Sequence, residues 1–129
     1  MHRIYNPDTV AKPAGSYSHG IEVAPNARWL HLAGQVGVAA DGTTCKGIEA
    51  QAEQVWTNIR NILSAAGMGM EDLVKITVLL TSAANIAPMR VARDKALGAV
   101  RPASTLVIVA GLASPDYLIE IEAIAAKAN

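Results

Sequence analysis

Two carboxylates near the end of the chain are the side chains best placed to do chemistry. Glu120 and Glu122 alternate with apolar residues in the segment Leu-Ile-Glu-Ile-Glu-Ala-Ile-Ala, which puts both on one face of a predicted strand. Carboxylates within an apolar strand are costly unless they are paired or solvated. For Glu122 we favour a solvated or salt-bridged position, with Lys75 as the partner. For Glu120 two interpretations stay open: such a surface group, or a general acid/base in a partly buried cleft.

The remaining polar candidates are one tyrosine and a group of basic residues. Tyr17 follows Gly15-Ser16 and shares a strand face with His19, a position where a tyrosine usually covers the rim of a sheet. Arg90 can pair with Asp94 four residues on, so a solvated helix surface is the ordinary interpretation. The alternative is a small anion site, because an arginine fork binds a carboxylate through two hydrogen bonds. We favour the surface interpretation for Arg93. For Arg90 and Arg101 both interpretations stay open.

The sequence lacks the motifs of several other kinds of site. The three histidines have no paired spacing with Asp, Glu or Cys, so no metal site is predicted. There is no P-loop, nucleophile elbow or dinucleotide fingerprint, so no cofactor is expected either. Cys45 is the single cysteine, which fits a reducing compartment, and we interpret it as a bystander.

The composition limits the class of partner. The chain has 129 residues with 11 basic and 11 acidic side chains, so it lacks the field that non-specific nucleic-acid binding needs. No apolar run is long enough for a membrane span and no signal peptide is recognisable, so we expect a cytoplasmic protein. With no repeat or composition break, residues 1–129 are predicted to form one domain.

Hydrophobic periodicity predicts the elements that must position these residues. The surest is a helix over 48–66, where apolar residues recur every three or four positions and Gly67 follows as a stop. A second helix over 87–97 begins near Asn85 and ends at Gly98. Five strands complete a ββαβαββ order, with the first two forming a hairpin: 18–23, 29–36, 73–80, 104–109 and 117–126.

This order predicts an α+β sheet with two helices, which can cover only one face of the sheet. Both alternate sets of residues in 104–109 are largely apolar, so a monomer would leave apolar sheet surface in water. We therefore expect a closed homo-oligomer that buries the second face.

Six segments, taken in this order, resemble the reactive-intermediate deaminase family (YjgF/YER057c/UK114), formerly called L-PSP endoribonuclease. The resemblance spans nearly the whole chain and implies a chorismate-mutase-like fold, a homotrimer and ligand clefts between subunits. The segments are Ala14-Gly-Ser-Tyr-Ser-His-Gly, Leu32-Ala-Gly-Gln-Val, Gln54-Val-Trp-Thr-Asn-Ile, Ala65-Ala-Gly-Met with Asp72-Leu-Val-Lys-Ile-Thr-Val, Arg101-Pro-Ala-Ser-Thr, and Ile119-Glu-Ile-Glu-Ala-Ile-Ala.

The resemblance also implies a set of site residues. Glu120 matches a glutamate that positions or activates the attacking water in members that hydrolyse imines and enamines. The substrate-binding positions that correspond to the family's cleft are Tyr17, Ala33, Gly34, Ser104, Thr105 and Leu106. Ala33 and Gly34 directly precede Gln35, and Leu106 would act through its backbone carbonyl.

Two positions depart from the family pattern. Ala33 holds the place of a serine before Gly-Gln, and the departure that matters is at the family's arginine. Ser104 stands where the family's Pro-Ala-Arg-Ser segment has the arginine that clamps a substrate carboxylate. Losing such a charged contact costs on the order of 2 to 5 kcal/mol. Arg101 lies about 10 Å away along an extended chain, so Arg90 is the better candidate for a relocated anion contact.

These observations leave two functions to weigh. The first is an enzyme that hydrolyses an imine, enamine or related C–N compound, whose small-molecule substrate either lacks an α-carboxylate or binds its carboxylate in a different way. The second is a small-ligand-binding trimer that keeps the fold and lacks the chemistry. Ribonuclease activity is disfavoured by the neutral charge and the scarcity of aromatic stacking residues.

Overall fold

The computed structural model describes residues 2–129, which form two α-helices and six strands in βββαβαββ order, together with two short 3-10 helices. The predicted ββαβαββ series is present, and one short strand that the sequence pattern does not predict precedes it. The elements are β1 (Arg3–Tyr5), β2 (Gly20–Glu22), β3 (Arg28–Val36), α1 (Ile48–Ala65), β4 (Leu73–Leu80), α2 (Ile86–Leu97), β5 (Ala103–Ile108) and β6 (Ile119–Lys127).

The main sheet has four strands in the order β3-β6-β4-β5. β4 and β5 run parallel, while β6 lies between β3 and β4 and is antiparallel to both. The predicted hairpin between the first two predicted strands is wrong. β2 pairs with β1 in a separate two-stranded sheet, because the short N-terminal Arg-Ile-Tyr segment supplies its hydrogen-bonding partner.

Helix α1 ends as its sequence predicts. The amide of Gly67 donates to Ser64 O at 3.0 Å, and the amide of Met68 donates to Leu63 O at 2.9 Å. These two bonds form a Schellman motif, which needs a left-handed residue after the helix. Gly67 supplies it with φ of 69°.

The core lies between the helices and one face of the main sheet. On β4 the burial alternates, with Ile76, Val78 and Leu80 at most 1 % exposed. Both helices contribute to the same cluster, including Ile59 from α1 and Met89 from α2. The fold is therefore a two-layer α+β structure with both helices on one face, as predicted. None of the helices formed by residues 2–129 is long and apolar enough to cross a membrane.

The buried side chain of Gln51 ties two loops to α1. Its Nε2 donates to Cys45 O at 3.0 Å and to Asp116 O at 2.8 Å, and its Oε1 accepts from the Leu118 amide at 2.9 Å. Gln51 is only 2 % exposed, so these bonds satisfy a polar group that would otherwise be costly to bury. The third bond holds the chain just before β6, the strand that carries Glu120.

Candidate functional site

Glu120 lies on β6 with its carboxylate against the backbone of Gly34 on β3. A Cβ built on Gly34 would overlap Glu120 Oε2 and lie 2.7 Å from its Cδ. The half-buried Glu120 side chain therefore occupies the space that any larger residue at position 34 would need. The structure thus brings together two of the predicted site residues from separate strands.

An irregularity in β3 creates this contact. The register between β3 and β6 passes from Leu32↔Ala123 to Gln35↔Ile121, so Ala33 and Gly34 stand opposite one residue of β6. A bulge of this kind bends the strand and changes the direction of its neighbouring groups. Ala33 is exposed beside the bulge, and its carbonyl accepts from Gln35 Nε2 at 3.1 Å.

Tyr17 lies in the loop before β2, at the other edge of the main sheet. Its hydroxyl accepts from the amide of Ala14 at 3.3 Å, and its ring meets the His19 ring edge-on with 5.8 Å between centroids. The loop is joined to the start of β5 by a parallel bridge between Ser18 and Ala103. The Ser18 hydroxyl also donates to Arg101 O at 2.5 Å. Tyr17 is therefore held near the entry to β5.

The three candidates on β5 divide between the two faces of the sheet. Ser104 is in register with Ile76, which is fully buried beneath the helices. Thr105 is in register with Thr77 on the opposite face, since side chains alternate along a strand. Leu106 follows on the same side as Ser104 and packs against the core.

In one chain the candidate residues form two separate groups. Tyr17 and Ser104 lie at the β5 edge, whereas Gly34 and Glu120 lie at the β3 side of the sheet. Three interstrand steps separate β3 from β5, which is about 14 Å at the usual strand spacing. Arg90 joins neither group, because it is an exposed residue of α2 in the helical layer.

Lys75 lies on the sheet face that the helices leave uncovered. Its ammonium donates to the Thr105 hydroxyl at 2.5 Å rather than forming the predicted salt bridge with Glu122. Burial lowers the pKa of Lys75 below its ordinary value, and the charge of Glu122 partly offsets this effect. Both side chains line a depression of about 290 Å³ that also includes His31 and Thr77. Glu122 itself is exposed, which agrees with the solvated option.

Arg93 is buried, contrary to the predicted solvated surface. It is 6 % exposed because it shares the inner face of α2 with Met89 and Leu97, four residues away on either side. Its guanidinium pairs with Asp94 at 3.1 Å, so Asp94 is the partner of Arg93 and not of Arg90. The spacing of Met89, Arg93 and Leu97 was the sequence signal for this burial.

Asp94 links Arg93 to the loop that carries Tyr17. A hydrogen bond from Ser16 lowers the pKa of the Asp94 carboxyl below its ordinary value, and Arg93 and Arg101 act in the same direction. Arg101 lies outside β5, as predicted, and its Nη1 donates to the carbonyls of Gly98 and Val100 at 2.6 and 2.9 Å. A polar cluster thus joins α2 to the β5 edge.

Two further features of the surface bear on function. Within residues 2–129 no group of three or more His, Cys, Asp or Glu side chains could hold a metal ion.

A groove of about 560 Å³ runs between α1 and α2, lined by Trp56, Pro88 and Val91 among others. This groove lies on the helical side and includes none of the predicted site residues.

Comparison with known proteins gives consistent matches along the chain. The family model described as endoribonuclease L-PSP matches residues 8–127. A RutC family protein of Pyrococcus horikoshii is 37% identical over 129 residues, covering 98% of this chain and 99% of the relative. A crystal structure of a Rid family protein from Yersinia pestis has a TM-score of 0.86 and 34% identity, covering 96% of this chain and 97% of the other. A protein of Dermatophagoides farinae named 2-iminobutanoate/2-iminopropanoate deaminase is 29% identical over 80 residues, 60% of each chain.

Proposed function

Because the chain belongs to the endoribonuclease L-PSP family, which its RutC and Rid relatives share, we propose that it hydrolyses an imine, enamine or related C–N compound. The reaction takes place in a cleft between subunits of a homotrimer. The relative named as an iminobutanoate and iminopropanoate deaminase supports this reaction class.

The placement of Glu120 is the observation that carries the proposal. The Glu120 carboxylate lies directly against the backbone of Gly34 in the strand bulge, because position 34 carries no side chain. One side of such a group faces the sheet surface that the helices leave open. This is the setting in which a carboxylate can hold and deprotonate a water molecule.

The separation of the two candidate groups supports a site between chains. Ser104 on β5 lies three interstrand steps, about 14 Å, from Gly34 on β3 and two steps, about 10 Å, from Glu120 on β6. Tyr17 lies in the loop that is bridged to the outer edge of β5. A second copy packed on the open face can place its β5 edge beside the Glu120 of the first. Apolar residues such as Val107, 40% exposed on β5, favour that packing.

The mechanism follows from these positions. Glu120 accepts a proton from a water molecule, and the oxygen of that water adds to the carbon of the C=N bond. The nitrogen takes up protons and leaves as ammonia, while the former imine carbon becomes a carbonyl. Tyr17 and the backbone groups around Gly34 and Leu106 hold the ligand and stabilise the polar transition state.

Ammonia release from freshly generated 2-aminoacrylate tests the reaction. Glu120→Gln is expected to lower the enzyme-dependent rate by at least 100-fold, at the lower end of the range for a lost acid/base group. Glu122→Gln is the matched control, because it removes an exposed carboxylate two residues along the same strand. A rate unchanged in Glu120→Gln contradicts the role of Glu120. Light scattering tests the trimer, for which the expected mass is three times 13.5 kDa.

A ligand-binding protein without catalysis is the second candidate. Ser104 favours it, because no charge stands at that position to bind a substrate carboxylate. This alternative predicts that a broad imine panel gives no turnover while small carboxylates still bind. Turnover that Glu120→Gln abolishes excludes it.

A further inference from the structure

We infer that the groove between α1 and α2 binds a short apolar peptide with free termini. The groove has a volume of about 560 Å³, which is within the range of small-ligand sites. It lies on the helical side of the sheet and does not include Glu120 or any other residue of the proposed hydrolytic cleft. The inference is therefore independent of the proposed function.

The middle of the groove is apolar. Trp56 of α1 lines it together with Pro88, Val91 and Ala92 of α2. Val91 is 71% exposed, more than any other large apolar side chain within residues 2–129. A ligand that covers this side chain removes apolar surface from water, which favours an apolar occupant.

The indole N–H of Trp56 points to an occupant that also carries hydrogen-bond acceptors. Trp56 is 2% exposed, and its Nε1 is a buried donor with no partner in residues 2–129. A buried donor of this kind is costly until an acceptor reaches it. A peptide supplies a carbonyl oxygen at every residue, whereas the body of a hydrocarbon ligand supplies none.

The two helices that form the groove run in the same direction. β3 and β4 are both antiparallel to β6, and β5 is parallel to β4, so these three strands point the same way. α1 leads from β3 to β4, and α2 leads from β4 to β5. Each helix must return the chain to the start of the next parallel strand. The first turns of both helices therefore lie at the same end of the helical layer.

Charged side chains of opposite sign stand at the two ends of the groove. Glu49 and Glu53 lie in the first two turns of α1. Arg60 lies two turns further on, and Lys95 lies in the last turn of α2. None of these four groups is in an ion pair within residues 2–129. An amine is therefore favoured at the acidic end and a carboxylate at the basic end.

The spacing of these charges fits about three residues of extended peptide. Glu53 and Arg60 are seven positions apart in α1, which is about 10.5 Å along the helix axis. An extended tripeptide is about 10 Å long, so its amine and its carboxylate can reach the two ends together. Exposed ion pairs contribute little each, so they set the direction of the peptide while the apolar wall supplies most of the affinity.

The experiment measures binding of the tripeptide Leu-Ala-Leu at low salt by ligand-observed NMR and by tryptophan fluorescence. Trp29→Phe removes the only other tryptophan, so the emission then reports on Trp56 alone. Four forms of the peptide are compared: free, N-acetylated, C-terminally amidated, and blocked at both ends. We expect the free peptide to shift the Trp56 emission and each block to weaken binding about 2- to 5-fold.

Two double variants assign the ends of the groove. Arg60→Met with Lys95→Met should weaken the free and acetylated peptides about 5-fold and leave the amidated and doubly blocked peptides unchanged. Glu49→Gln with Glu53→Gln should weaken the free and amidated peptides and leave the acetylated and doubly blocked peptides unchanged.

A third variant tests the apolar wall, and a fourth is its matched control. Val91→Glu should weaken all four forms by at least about 10-fold, because it places a charge against the apolar body of the ligand. The variant should fold, since Val91 is 71% exposed. Arg90→Met removes an exposed cation from the same helix but outside the groove, and it should change no affinity.

Several outcomes overturn the inference. Absence of binding at millimolar peptide does so, as does an affinity for the free peptide that Val91→Glu leaves unchanged, which places the peptide elsewhere. Equal affinity for all four forms contradicts the orientation by charge. Octanoate that binds as tightly as the free peptide, with no loss in Glu49→Gln and Glu53→Gln, assigns the groove to a different class of ligand.

Discussion

Gly34→Ala tests whether the position of the Glu120 carboxylate controls activity. The added Cβ would overlap Oε2 and lie 2.7 Å from Cδ, whereas ordinary contact begins near 3.4 Å. The carboxylate carbon must therefore retreat by about 0.7 Å and its oxygen by more. A catalytic group displaced by about 1 Å can cost 100-fold in rate, which corresponds to about 2.7 kcal/mol in the barrier.

The assay is kcat/KM for ammonia release, measured beside the thermal unfolding midpoint. We expect Gly34→Ala to lose about 100-fold in kcat/KM with an unfolding midpoint close to parent, because the overlapping atoms are the far end of a flexible side chain. Gly111→Ala is the matched control, since a Cβ there meets nothing within 4 Å.

A double variant separates displacement of Glu120 from other effects of the added methyl group. Glu120→Asp shortens the side chain by one methylene and removes most of the overlap, so Gly34→Ala should cost less in that background than in the parent. Parent-like activity in Gly34→Ala refutes the reasoning. Equal cost in the two backgrounds shows that the methyl group acts by a route other than Glu120.

Three other perturbations have definite expected results. Gly37→Ala should lower the free energy of unfolding by about 1 to 3 kcal/mol in denaturant titration, because its Cβ would lie 2.6 Å from Gln51 Cβ and 2.7 Å from the α1 backbone; an unchanged midpoint contradicts this packing. Glu122→Gln should lower the pKa of Lys75 further in an NMR titration of its side chain, because the carboxylate that favours the charged ammonium is lost; a rise has the wrong sign. Val107→Glu should convert the oligomer to monomer in light scattering, because it places a charge on the open sheet face, and an intact trimer argues for a different interface.

The regular elements were predictable because their periodicity is strong. β4 has the predicted bounds, and α1 differs from its prediction by one residue. The three-residue strand β1 was missed because so short a segment carries almost no periodic signal, and its absence from the prediction led to the wrong hairpin partner for β2. Pairing between segments far apart in sequence depends on tertiary contacts that local patterns do not encode.

The candidate site was predictable in its residue types more than in its arrangement. The alternation around Glu120 indicated its strand and face, but the bulge at Gly34 depends on register with a distant strand. The burial of Arg93 was readable from Met89 and Leu97 on the same helical face, yet its charge favoured a surface assignment. Its proximity to Tyr17 arises only when the loop before β2 returns to α2.

The central place of β6 has a consequence for synthesis of the protein on the ribosome. β6 is the last strand in chain order, yet it lies between β3 and β4 and hydrogen-bonds to both. Until these nine residues emerge, the nascent chain has two facing strands with no partner between them. Folding of the main sheet is thus deferred until translation has passed Lys127, and the incomplete chain exposes strand edges that favour aggregation. A chain that stops before Ile119 lacks the middle strand of the sheet, and Glu120 with it.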